Sequence, residues 1–213
     1  MPLGDSITEG TGSSGGGYRV ELFRLAVTNS KHLTFVGRNA NGPATVAGQT
    51  FPKSHEGYPH YTIDDEPAFG RMGISPLVDQ GISLGQPNII LLMIGTNDVN
   101  NAIDLASAPT RLGALLDRMT ADAPSALIVV ARIVPTASDT TNLDVVAYNA
   151  AIPGLVQART ATGKHILVVD MYAAMSANPS YKTALMHDGL HPNDAGYVVM
   201  AQAWYNAIKG VLP

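Results

Sequence analysis

Cysteine is absent from this 213-residue chain. That excludes disulfides, thiolate nucleophiles and thiolate-held zinc, and it leaves the redox compartment undecided. Charge is scarce as well. Asp, Glu, Lys and Arg make up 14% of the residues, and a net charge of −4 gives no basic field for nucleic acid or for an acidic membrane surface. Long hydrophobic runs are missing: the longest, at 89–94 and 126–131, are strand-sized, against the roughly 18 residues of a membrane span. Neither nucleic acid nor membrane is therefore an expected partner. Apolar residues are nonetheless plentiful at 46%, which argues against disorder and for a sizeable core.

The length predicts one domain spanning residues 1–213. No signal peptide is visible, because the chain opens almost on its first motif. Scarce Lys and Glu beside abundant Ala, Gly, Thr, Ser and Asn favour an extracellular, secreted protein.

Short apolar runs alternate with longer segments of helical period, the pattern of a parallel sheet covered on both faces. Strands are expected at residues 1–3, 32–37, 88–94, 126–133 and 165–170, and helices at 18–28, 75–84, 105–121, 143–160 and 195–210. This predicts an α/β three-layer sandwich on a five-stranded parallel sheet of flavodoxin-like order. Residues 38–73 are rich in Gly, Pro, Asn and His and lack periodicity. They are too long for an idle connection and are expected to be a functional loop. Only Met1, Pro2 and Leu3 precede Gly4, so the first strand is expected to be short and the sheet edge beside Ser6 weakly held.

Ligands of such sheets sit at the carboxyl ends of the strands. Three polar clusters fall there: Gly4-Asp5-Ser6, Gly95-Thr96-Asn97-Asp98, and Asp188-Gly189-Leu190-His191-Pro192. Serine hydrolysis needs an alcohol, a base, an orienter for the base and donors aimed at the oxyanion. Ser6, His191, Asp188 and Asn97 are the candidates in that order. Each has a structural alternative. Ser6 could cap a helix, His191 could stand incidentally before a helix capped by Asn193 or Asp194, and Asn97 could simply form a turn. Asp98 is expected to brace its loop.

These three ordered blocks resemble the signatures of the SGNH (GDSL-type) hydrolases, and the resemblance spans the chain from residue 2 to the last helix. His55-Glu56-Gly57-Tyr58-Pro59, with the segments around Ser6 and Asn97, is most similar to carbohydrate esterase family 3, which deacetylates xylan. The resemblance implies Ser6 as nucleophile, His191 as general base and Asp188 as its orienter. It implies an oxyanion hole from the Ser6 and Gly57 backbone N–H groups and the Asn97 side chain, with no cofactor.

Other chemistries compete. His187-Asp188-Gly189-Leu190-His191 mimics a metalloprotease H-E-x-x-H, but that motif needs a helix, which Gly189 and Pro192 oppose, and its Glu is replaced by Asp. No metal is therefore assigned to a catalytic role, and structural calcium on loop carboxylates is left open. The glycine-rich stretch at residues 10–17 lacks the Gly-Lys-Ser/Thr of a phosphate cradle and is better taken as a flexible loop flanking the rim. A sugar-binding module without turnover is a further alternative. Tyr58, His60 and Tyr61 offer surface better suited to sugar than to a lipid tail, although tyrosines also pack in ordinary loops. The expected substrate is acetylated polysaccharide or another small-acyl ester. The runner-up is a short-chain lipolytic esterase, lysophospholipase or thioesterase of the same superfamily. A histidine base predicts an acid limb of activity around pH 6–7.

Overall fold

The computed structural model describes all 213 residues. Its main sheet contains β1 (Pro2–Gly4), β2 (Asn39–Ala40), β5 (Ser54–Gly57), β6 (Ile89–Met93), β7 (Leu127–Arg132) and β8 (Ile166–Asp170), in the order β2-β5-β1-β6-β7-β8. The last five of these are mutually parallel, and β2 joins β5 antiparallel at the edge. A separate two-stranded ribbon pairs β3 (Thr45–Val46) with β4 (Gln49–Thr50). The five parallel strands follow the flavodoxin-like order anticipated above, with one added edge strand.

Strands β6 and β7 are runs of branched aliphatics buried on both faces, as a strand inside a covered parallel sheet must be. Helices α2 (Tyr18–Thr28) and α9 (Asp194–Ile208) pack together on one side of the sheet. Helices α3 (Ser75–Gly85), α5 (Ala108–Asp122) and α6 (Asp139–Thr160) pack on the other. Between these layers runs a continuous core in which Trp204 and Tyr18 are fully buried with ring centroids 5.8 Å apart. No helix is long and apolar enough to cross a membrane.

Two expectations fail. Residues 32–37 do not form a strand: His32 and Thr34 are exposed, and the chain runs past the sheet with Gly37 pressed against the His55 backbone. The strand beside β1 is instead β5, Ser54-His55-Glu56-Gly57, from within the supposed loop. Its polar letters hid it. His55 and Glu56 are nevertheless buried, because His55 Nδ1 accepts from the Gly57 N–H at 3.0 Å and Glu56 is paired with Arg38 at 2.7 Å. Nor is β1 a weak edge. It has only three residues but lies between β5 and β6, with Leu3 buried.

Candidate active site

At the carboxyl end of β1 the chain turns at once into α1 (Ser6–Glu9). Asp5, not Ser6, caps this helix, its Oδ1 accepting from the Ile7 N–H at 2.9 Å. The Ser6 hydroxyl is thereby left free, and the Ser6 N–H stands in the first turn, where a helix offers no acceptor of its own. Burial pushes the Asp5 carboxyl up to about 6, and the Ile7 amide pulls it partly back.

His191 reaches Ser6 from 185 residues away, with Nε2 2.9 Å from Oγ. On the other side of the ring, Nδ1 lies 2.9 Å from Asp188 Oδ2. The remaining Asp188 oxygen accepts the backbone N–H groups of Leu190 and His191, each at 2.7 Å. Asp188 thus folds its own loop into a turn and orients the ring with the same carboxylate. Partial burial pushes this carboxyl up, but the two amides and the ring outweigh that effect and hold it at about 2. With the Nδ1 proton directed at Asp188, Nε2 accepts from the Ser6 hydroxyl. Residues 187–191 form a turn in which the His187 N–H donates to the His191 carbonyl at 2.8 Å, so the two histidines do not share a helical face.

Asn97 enters from α4 (Thr96–Asn100), directly after β6. The turn before it requires Gly95, whose φ is +112° and where a Cβ would stand 2.5 Å from the Tyr148 ring. Asn97 Nδ2 donates one hydrogen to the Tyr61 carbonyl at 2.9 Å and has a second to offer. Ser6 and Asn97 are both 4% exposed, so donors here act in a largely water-excluded site. Asp98 braces as expected. Its carboxylate takes Arg111 at 2.6 Å and the Ile63 N–H at 3.2 Å, and burial pushes it above the usual carboxylate range even against Arg111.

Gly57 does not fit the oxyanion role that the resemblance gave it. Its N–H is already committed to His55 Nδ1, and its missing side chain lets β5 approach α1, where a Cβ would stand 2.4 Å from the Glu9 nitrogen. Further along, the Tyr58 N–H donates to the Gly4 carbonyl, Pro59 has none, and the Tyr61, Thr62 and Ile63 N–H groups all have acceptors. Within residues 57–63 only the His60 N–H has no acceptor in the chain, and His60 holds a left-handed φ of +69°.

The proposed sugar-facing residues divide. Tyr58 turns its hydroxyl inward to Glu56 at 2.5 Å, beside Arg38, so it belongs to the buried ion pair. The Tyr61 ring stacks on Tyr58 with centroids 5.1 Å apart and supplies the carbonyl that holds Asn97. The His60 side chain is exposed at the rim. Sequence reasoning missed Gly12, which touches the His191 segment, and Arg111, which ties Asp98 to Glu66 at 3.3 Å. The cluster of glycines at 10–17 was the available signal for the first. No group of three metal-ligating side chains converges in the structure.

The model of the GDSL-like Lipase/Acylhydrolase family matches residues 3–199. A multidomain esterase of Ruminococcus flavefaciens is 32% identical over the whole of this chain, which spans 28% of that protein's length. Among solved structures, a family 3 carbohydrate esterase of Clostridium thermocellum is similar at 30% identity and a TM-score of 0.81, covering 99% of this chain and 94% of its own. A carbohydrate esterase family 3 structure from Talaromyces cellulolyticus follows at 26% identity and 0.80, covering 99% and 96%.

Proposed function

Because this chain belongs to the GDSL-like lipase/acylhydrolase family, we propose that it is a carboxylic ester hydrolase that removes acetyl groups from polysaccharide, acetylated xylan foremost. The observation that carries this reading is the relay from Asp188 through His191 to Ser6, with both contacts at 2.9 Å. Ser6 attacks the acetyl carbonyl as His191 takes its proton, and the sugar alcohol departs with that proton. Water then repeats the step on the acetyl-enzyme, releasing acetate and free Ser6. The oxyanion is held by the Ser6 N–H and the second Asn97 Nδ2 hydrogen, with the uncommitted His60 N–H in place of Gly57.

The similarity to family 3 carbohydrate esterases supports a glycan as the alcohol half. A polymer of that kind places the site of action outside the cell. The test is a chain-length series of nitrophenyl esters run beside acetylated xylan. Fastest turnover of the acetyl ester, with acetate released from xylan, is expected. A maximum at octanoyl without acetate release from xylan overturns the reading in favour of a lipolytic esterase.

A further inference from the structure

Beside Asn97 stands a flap, residues 62–73, whose ends meet in a bridge between Thr62 and Gly73. It is braced far more than a surface loop needs. The Thr62 N–H donates to the Met72 carbonyl at 3.0 Å, and the Gly73 N–H to Asp65 Oδ1 at 2.7 Å. Asp98 receives the Ile63 N–H, Arg111 joins Asp98 to Glu66, and Arg71 donates to Asn101 Oδ1 at 3.1 Å. Each of these braces is polar and ties the flap to itself or to the segment that carries Asn97. The tip, by contrast, is a short 3₁₀ turn (Pro67–Phe69) that turns apolar groups to water. Phe69 is 53% exposed and Met72 59%.

Scattered exposed apolar residues need no explanation. These two differ in place. Phe69 is the only aromatic among the exposed large hydrophobics. The Met72 sulfur accepts the Tyr61 hydroxyl at 3.3 Å, and the carbonyl of the same tyrosine holds Asn97. One tyrosine therefore links Asn97 to Met72 at the base of the flap, and Phe69 stands at its tip. The flap is held by the polar contacts above, so little ordering entropy is lost when a ligand settles on it.

We infer that Phe69 and Met72 form a platform for the apolar face of a sugar ring in the alcohol half of the substrate. This rests on the glycan-esterase reading above. A pyranose has one face of C–H groups edged by hydroxyls, and it needs a flat apolar surface with polar groups around it. Polar residues lie next to them in the chain: Asp65 and Arg71 within the flap, and His60, exposed, just before it. An acyl tail would need an enclosing groove, which an exposed tip does not provide. The chain's net negative charge and the flap's own Asp64, Asp65 and Glu66 disfavour an anionic headgroup or polyanion.

The experiment compares Phe69→Ala, Met72→Ala, the double variant and Phe69→Tyr with the unmodified chain. The substrates are 4-nitrophenyl acetate, 4-nitrophenyl octanoate and acetylated xylan. Nitrophenyl acetate hydrolysis is expected to stay within twofold in Phe69→Ala and Phe69→Tyr. On acetylated xylan the double variant should lose about tenfold in kcat/KM, carried by KM, with Phe69→Tyr retaining most activity. Xylan rates unchanged in the double variant overturn the platform, as does an equal loss on nitrophenyl acetate and xylan. A loss confined to the octanoate ester overturns it in favour of an acyl surface. If the unmodified chain hydrolyses nitrophenyl acetate but releases no acetate from acetylated xylan, the glycan reading itself fails and the platform with it.

Discussion

Gly12 lies against the segment that carries His191, and replacing it with alanine tests whether that segment is held to sub-ångström tolerance. Its φ is +88°, and an added Cβ would stand 2.6 Å from the Pro192 carbonyl oxygen, 3.0 Å from His187 Cβ and 3.1 Å from His191 Cβ. The glycine loop cannot easily retreat. Ser14 is tied to Asp194 through its N–H at 2.9 Å, and the Tyr197 hydroxyl donates to the Thr11 carbonyl at 2.6 Å. The His191 segment must then give way by about 0.8 Å to restore the 3.4 Å of ordinary contact. A misplacement of about 1 Å at a catalytic group costs on the order of 100-fold, or about 2.7 kcal/mol of barrier. Left-handed strain adds about 1–2 kcal/mol to the folded state, about 2–8 °C in Tm for a domain of this size. Gly12→Ala should thus lose about 100-fold in kcat on 4-nitrophenyl acetate with KM little changed. Gly15→Ala separates strain from displacement, since Gly15 has a φ of +132° and nothing within 4 Å of the added atom. It should lower Tm yet leave kcat intact. If Gly12→Ala keeps kcat within threefold, or if both alanine variants lose activity equally, the loop does not position His191.

Two further outcomes follow from the carboxylates of the site. Asp188→Asn keeps an oxygen for the Leu190 and His191 backbone amides but presents no second acceptor to the ring N–H, so kcat should fall about 10³–10⁴-fold. A variant whose kcat stays within about tenfold of the parent's contradicts that account. Asp5, raised to about 6 from an ordinary value of 3.8, binds its proton more tightly folded than unfolded, so its contribution is greatest below pH 4 and is lost as pH rises to about 6. Asp5→Asn retains an oxygen for the Ile7 cap and should raise stability at pH 8 relative to pH 4 by something on the order of 3 kcal/mol. Melting curves in which the difference between variant and parent does not change with pH would refute it.

The architecture was legible wherever burial is hydrophobic. Strands β6, β7 and β8 and helices α2, α3, α5, α6 and α9 stand within a few residues of where apolar periodicity puts them. It was illegible where burial is polar. In β5, His55 and Glu56 occupy positions that a parallel strand usually fills with aliphatics, and hydrogen bonds to Gly57, Arg38 and Tyr58 let them do so. The apolar letters of residues 32–37 read more like a strand, yet Leu33 and Val36 are only partly buried. Periodicity registers which residues avoid water, and it cannot register polar residues whose partners arrive from elsewhere in the chain.

The same limit separates two of the candidate oxyanion donors, Asn97 and Gly57. Asn97 was recognisable because the amide is in its side chain, a letter in the sequence. A backbone N–H carries no letter. Whether it is free depends on what the neighbouring backbone and side chains have already claimed, and at Gly57 the ring of His55 has claimed it. Glycine at that position is required by close approach to α1, so the letter is there for packing. The free amide lies three residues on, at His60, where φ is +69° and the following residue's carbonyl fixes Asn97. A single turn thus exposes one candidate donor and anchors another, so the proposed oxyanion hole depends on the backbone path of residues 58–61 more than on which side chains line it.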